Sequence, residues 1–254
     1  MSLHLWLTYF ALNAAAPRGI PWELGPDLPP EEARRIVPSL REFQRGETSN
    51  GRHLRAIARA WAARHGETSL VQALELFIVE EQRHAAELER FLVLNGHLAG
   101  GSSVNDAAFR ALRRVSVSLE GALSVLLTAE IIGFVYYGAL RHQTRSPLLR
   151  ALCRTFQHDE AAHLLFHAEL LGGVRRGRPG LLMRLTEGLS WMLLMASCAA
   201  AWRRHRMVLR FTGLSFSGFA SRCTARLRLA RQPRSRSHGG SPGISPAGPE
   251  TILP

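Results

Sequence analysis

Two short motifs constrain the fold of this chain more than anything else in it: Glu81-Gln82-Arg83-His84 and Glu160-Ala161-Ala162-His163. Each is Glu-x-x-His within a long apolar pattern of helical period. Each follows a lone glutamate, Glu47 standing 34 residues before Glu81 and Glu130 standing 30 before Glu160. One such motif means little, because 17 Glu and 11 His in 254 residues supply nearly one by chance. The duplicated set of four carboxylates and two imidazoles is what two metal ions require in the core of a four-helix bundle, provided the six residues face one another.

The helical stripes meet that condition. Leu70, Leu74, Phe77, Glu81, His84, Leu88 and Phe91 step by fours and threes along one face, as do Leu149, Cys153, Phe156, Glu160, His163, His167 and Leu170. Leu123, Leu126, Glu130, Gly133 and Tyr137 form a third stripe, and Glu47, Leu54 and Trp61 a fourth. Measured from turns near Gly66 and Ser146, the members of each pair come level to within about one helical turn. Glu120, the rival on the third helix, falls about 18 Å out of level and is rejected as a ligand.

Carboxylates ~4 Å apart repel by about 4 kcal/mol per pair at an effective dielectric of 20. Four of them in an apolar core need protonation or counter-charge. A buried Glu–His–Arg network would require arginines on these stripes, and none is there. Two divalent cations neutralise the set. Carboxylate with imidazole and no thiolate suits iron or manganese, alone or mixed, with zinc an alternative. The three cysteines, Cys153, Cys198 and Cys223, form no Cys-x-x-Cys pair, which excludes a zinc ribbon, and their odd, scattered count argues against a disulfide framework.

Other residues frame the set. Glu80 and Asp159 precede the two motif glutamates, and each is expected to accept the Nδ1–H of the histidine on the other motif helix. Tyr137 reads as a hydrogen-bond donor to the site, a redox tyrosine, or a core tyrosine with a satisfied hydroxyl. His167 reads as a satisfied core histidine. Gly133, Asn50 and Gly51 leave room beside the metals for oxygen or substrate, or serve tight packing.

Along the chain, residues 1–38 hold six prolines and read as an arm with a short helix at 31–37. Residues 39–173 read as the bundle. Its first helix opens at the Ser39/Glu42 capping box and runs to His65. The second opens at Ser69 and ends at Asn95-Gly96. The third starts at Ser103-x-x-Asp106 and runs to about His142, and the fourth opens at Ser146-Pro147. Residues 174–230 form a basic helical extension, and 231–254 a Gly/Pro/Ser-rich tail expected to be disordered.

The net charge of +12 comes entirely from the C-terminal third: residues 175–254 carry 14 Arg against Glu187 and Glu250. This region permits contact with nucleic acid or anionic lipid but lacks interleaved aromatics. The apolar run 188–202 is shorter than the ~20 residues that span a bilayer; it reads as a buried fifth helix, or as one lying on a membrane. The apolar stretch 3–16 has no basic n-region, which argues against a signal peptide, and a cytoplasmic protein is expected.

The ordered set Glu47, Glu81-x-x-His84, Glu130 and Glu160-x-x-His163 resembles the ferritin-like di-iron carboxylate superfamily over about residues 40–172. Phe43-Gln44-Arg45-Gly46-Glu47-Thr48 is similar to the first-helix Gly-Glu-Ser segment of rubrerythrins. The acidic residue ahead of each motif resembles the Asp-Glu-x-x-His of bacterial multicomponent monooxygenases. The resemblance implies an all-α bundle of two antiparallel helix pairs joined by a long crossover. It implies that Glu81 and Glu160 bridge two iron ions, with Glu47 and His84, and Glu130 and His163, completing the two positions.

There is no rubredoxin domain, so an external electron donor is implied. The extra carboxylate of rubrerythrin peroxidase sites is missing. The leading expectation is an oxidoreductase acting on dioxygen or peroxide. The alternatives are an iron-handling ferroxidase and an RNA-modifying hydroxylase, and a homodimer is also expected. An organic-substrate enzyme should show an apolar pocket reaching the metals near Gly133. A ferroxidase should show an acidic access path, and an RNA enzyme arginines at the mouth of the site.

Overall fold

The computed structural model describes residues 3–98 and 118–232. Eight α-helices are present among them: α1 Leu3–Ala15, α2 Pro30–Glu47, α3 Arg52–His65, α4 Thr68–Leu94, α5 Leu119–Gln143, α6 Pro147–Val174, α7 Gly180–Phe211 and α8 Phe216–Arg231. No described residue is in a strand. α2 and α3 pack on α4, α5 packs along α6, and the two pairs close on a shared core. α1 lies on α4, while α7 and α8 pack against α5. This is a ferritin-like helical bundle with a C-terminal helical extension. The start of the third helix expected at Ser103 and nearly all of the C-terminal tail lie outside the described residues.

The first helix departs from expectation. It begins at Pro30, with Glu31 and Glu32 in its first turn, and continues through Pro38. The Ser39/Glu42 capping box does not form. Ser39 is buried and bonds to Tyr136 Oη at 2.8 Å and to His205 Nδ1 at 2.7 Å, while Glu42 pairs with Arg45 and Arg204. A tertiary partner has taken the hydroxyl that a cap would use. The helix then breaks after Glu47 and restarts at Arg52. Gly51, at φ 61°, makes the bend; a Cβ there would meet the Ile78 side chain.

Residues 3–15, assigned to an arm, are helical and bury Leu3, Trp6, Phe10 and Asn13. α4 begins at Thr68 without a side-chain cap, so Ser69 lies inside it. The fourth helix starts as expected, with Ser146 Oγ accepting from the Leu149 amide at 2.9 Å. α5 alone among the described helices is long and apolar enough to cross a membrane, and most of it is buried in the bundle core.

Candidate metal centre

α4 supplies Glu81 and His84, α5 supplies Glu130, and α6 supplies Glu160 and His163. One potential ligand atom from each of Glu81, Glu130, Glu160 and His163 lies within 4.8 Å of the others. His163 Nδ1 is 3.3 Å from Glu81 Oε1, 3.5 Å from Glu130 Oε2 and 3.7 Å from Glu160 Oε2. His84 Nδ1 is 3.7 Å from the same Glu81 oxygen, so that carboxylate faces both imidazoles. Glu47 closes α2 and stands outside this tight group. Its Oε1 accepts a 2.8 Å hydrogen bond from the Tyr137 hydroxyl, and it lines one pocket together with Glu81, Glu130 and Glu160. Tyr137 thus acts as a donor to the site. Glu120 lies elsewhere, paired with Arg175 at 2.8 Å and Arg178 at 2.6 Å.

The outer nitrogens are held crosswise. His84 Nε2 meets Asp159 Oδ2 at 3.1 Å, and His163 Nε2 lies 3.6 Å from Glu80 Oε1. Each acidic residue lies beside the histidine of the other motif helix, on Nε2 where Nδ1 was expected, and only the Asp159 contact is a hydrogen bond. Nδ1 sits close to the backbone and faces the carboxylates of its own turn; Nε2, at the far end of the ring, is the nitrogen that reaches across to the neighbouring helix. With its proton on Nε2, His84 presents the Nδ1 lone pair to the centre.

Sequence reasoning missed the next layer. Asn13 donates to Glu80 at 2.6 Å. Arg83 reaches Asp159 at 2.8 Å and Glu80 at 3.3 Å, and Arg18 approaches Asp159 at 3.9 Å. Glu80, His84 and Asp159 are close enough to hold an ion themselves, but these cations and the amide already engage the two carboxylates. One signal for Asn13 was present: Leu3, Trp6, Phe10 and Asn13 step by three and four, which put a polar residue on an apolar stripe.

The electrostatics are those of a site with surplus negative charge. Burial, reinforced by repulsion from Glu130, drives Glu81 and Glu160 well above the usual carboxylate range. Burial likewise raises Glu47 to about 8. Burial acts the same way on Glu130, but the close approach of the Glu160 carboxyl and of the His163 and His167 imidazoles outweighs it and holds Glu130 low. His163 is driven well up: burial opposes its charge, but Glu130, Glu160 and Glu80 stabilise it. Burial also works against ionisation of Asp159, and the nearby His158 ring and the hydrogen bond with His84 overcome it and keep the carboxylate charged.

The buried polar atoms without a hydrogen-bond partner include Glu47 Oε2, Glu81 Oε1, His84 Nδ1, Glu160 Oε2 and His163 Nδ1. Such orphans are rare in folded proteins, and here they come from five of the six expected ligands. Donor type, spacing and orphaned atoms fit a di-metal centre. His167 adds a third imidazole. Both its ring nitrogens are orphaned, and Nε2 lies 3.6 Å from Glu130 Oε1, so it is not the satisfied core histidine expected.

These shifts give a pH signature. A group whose folded pKa is raised stabilises the fold at low pH and loses that contribution as pH climbs through the raised value. Glu47, Glu81, Glu160 and His163 all act this way above pH 6.5. His167 and His205, held low chiefly by burial, oppose this trend only until their unfolded imidazoles have lost their protons, about one unit above 6.5, and the four raised groups outweigh the two. Metal-free protein is expected to lose thermal stability from pH 6.5 to 8, and saturating Mn(II) to flatten that slope. Thermal unfolding at fixed ionic strength measures both, and a flat metal-free profile would contradict the charge assignment.

Two cavities approach the cluster. One, of about 440 Å³, is walled by Val125, Leu126, Ala129, Ile132 and Gly133, reaches the four glutamates, and has Arg45, Arg203 and Arg204 at its rim. Gly133 keeps it open, since a Cβ there would stand 3.3 Å from Glu160 Oε1. The other, of about 410 Å³, opens at the break between α2 and α3, past Ser49, Asn50 and His53, to Glu47 and Glu81. Among the described residues, and apart from the cluster's own glutamates, Glu42 is the one acidic residue along either route, and it is paired with Arg45 and Arg204.

No protein-family model matches the sequence, and no curated protein does. Solved structures match it in shape over nearly its whole length. An R2-like ligand-binding oxidase, solved as a point mutant with an aerobically reconstituted Mn/Fe cofactor, superposes with a TM-score of 0.61 at 16% identity, covering 91% of this chain and 92% of its own. A different point mutant of an R2-like ligand-binding oxidase, likewise with a Mn/Fe cofactor, gives 0.59 at 14% identity, covering 91% and 93%. At these identities the likeness carries the fold, which is the ferritin-like bundle.

Proposed function

We propose that the protein is a di-metal oxidoreductase that uses dioxygen or peroxide to oxidise an organic substrate of largely apolar character. The observation that carries this reading is the aliphatic-walled cavity beside Gly133, which ends on Glu47, Glu81, Glu130 and Glu160. Glu47, Glu81, His84, Glu130, Glu160 and His163 would hold two ions. Iron is the expected metal, and manganese in one position agrees with the Mn/Fe cofactors of the structural neighbours. When bound, the ions supply the redox chemistry toward oxygen that no protein side chain provides.

The protein's own residues bind, orient and exclude. Asp159 orients the His84 imidazole by a hydrogen bond to its outer nitrogen, and the Glu80 carboxylate lies 3.6 Å from the outer nitrogen of His163. Tyr137 holds a proton at the Glu47 carboxylate. Val125, Leu126 and Ile132 give the inner cavity an apolar wall, which would strengthen charge interactions within it once a substrate displaces water. Electrons would come from an external donor. Neither route shows the acidic path that iron handling requires. Arg203 and Arg204 at the mouth favour one second reading, an RNA-modifying enzyme, but the walls behind them are aliphatic, and Phe43 and His205 supply the only rings among the described lining residues.

Metal analysis of purified protein, with visible spectra before and after iron loading and exposure to air, tests the centre itself. Absence of bound metal and of a near-ultraviolet band would refute it. Ala129→Phe tests the substrate reading, because it fills the wall of the cavity without touching an expected ligand. Metal stoichiometry is expected to stay at two while affinity for apolar ligands falls at least about tenfold, the scale of a lost pocket contact. Unchanged ligand binding would move the site away from this cavity.

A further inference from the structure

We infer that the exposed face of α7 docks on an anionic membrane surface. The helix is only half embedded. None of its residues before Leu194 is buried, and its inward side is made by Leu194, Ser197, Cys198, Ala201, Val208 and Leu209. At 100° per residue, Leu181, Leu185, Leu189 and Met192 line up on the outer side. They are 73%, 57%, 64% and 62% exposed. The same line continues through Ala196 and Ala199 to Arg203, Arg206 and Arg210, all exposed. Isolated exposed apolar residues are ordinary, but a continuous stripe of this kind marks a binding surface.

Charge selects the occupant. Residues 175–232 carry twelve arginines and one acidic residue, Glu187, which projects well away from the stripe. A second copy would bring arginine against arginine with no carboxylate on the face to separate them. The stretch 233–254 has only Ile244, Ile252 and Leu253 as large apolar residues, too few to cover the stripe. A bilayer with anionic headgroups meets both demands: aliphatic side chains enter the acyl boundary, and arginines at the end of the helix meet phosphates. Ala200, Arg203 and Arg204 on this helix also line the cavity that reaches the glutamate cluster. Docking would therefore set the cavity mouth against the lipid, open to a membrane-borne substrate. That last step rests on the proposed function; the docking does not.

The test uses full-length protein and vesicles of phosphatidylcholine, with or without one part in about three of phosphatidylglycerol, read by flotation and without turnover. Loss of metal binding would refute the proposed function and leave this measurement intact. The expected result is binding to the anionic vesicles alone, weakened by 0.5 M salt, where screening falls to about 4 Å. Leu185→Glu/Leu189→Glu should weaken it at least about tenfold, with helicity and metal content unchanged. No vesicle binding, or equal binding by the double variant, overturns the inference. Two further results would do so: a lipid-free dimer that the variant dissociates, which assigns the face to a second copy, and binding to single-stranded RNA without binding to vesicles.

Discussion

Glu81→Ala is expected to reduce metal stoichiometry from two ions to at most one, with affinity for any remaining ion at least about 100-fold weaker, beyond the range for loss of an outer partner. Glu81 Oε1 is the oxygen within 3.7 Å of His84 Nδ1 and 3.3 Å of His163 Nδ1, so no single neighbour replaces it. The same change acts oppositely on metal-free protein. Burial and the Glu130 charge already oppose ionisation of Glu81, and removing it relieves that conflict. Metal-free Glu81→Ala should therefore unfold at the same temperature as the parent or higher, while losing the stabilisation that metal confers. Elemental analysis with paired melting curves reads both. Glu120→Gln is the control, because Glu120 serves Arg175 and Arg178. Two ions retained in Glu81→Ala would refute the assignment.

Asp159 separates orientation from coordination. Asp159→Asn keeps an oxygen that can accept from His84 Nε2 but removes the charge that stabilises that donor. Metal affinity is expected to fall about 10–100-fold, the range for partners of metal-bound histidines, without loss of stoichiometry at saturation. Asp159→Ala should also cost about 1–3 kcal/mol of stability, because the buried His84 donor loses its acceptor, while Arg83 loses only the nearest of its three carboxylate partners. Asp159 and Arg83 meet at 2.8 Å with exposures of 0% and 18%. Calorimetric titration and denaturant unfolding distinguish these effects. An Asn variant that binds metal as tightly as the parent would remove Asp159 from the site's function.

Much of this was legible in the sequence, for a definite reason. The six expected ligands lie on helices, where spacing fixes face and height, so Glu81, His84, Glu160 and His163 could be placed by arithmetic. Three features were not legible. Ser39 resembles a cap, and only its long-range bonds to Tyr136 and His205 reveal that the hydroxyl is used elsewhere. Asn13 meets Glu80 across 67 positions of chain, a pairing no local pattern encodes. His167 has the spacing of a core residue, and its orphaned nitrogens become visible only when its neighbours are known. Period and register can be read from sequence, whereas partnership at a distance must be seen.

The break between α2 and α3 makes the ligand set mechanically uneven. Glu81, His84, Glu130, Glu160 and His163 all sit inside continuous helices, where moving one carboxylate strains a whole turn. Glu47 sits on the last residue of α2, next to four residues outside any helix. Its carboxylate occupies the negative end of the helix dipole, which repels it. Of the six, Glu47 has the softest mounting, and it can swing or withdraw by local fraying while the other five hold still. With two ions held by the six expected ligands, the position served by Glu47 would be the more compliant of the two.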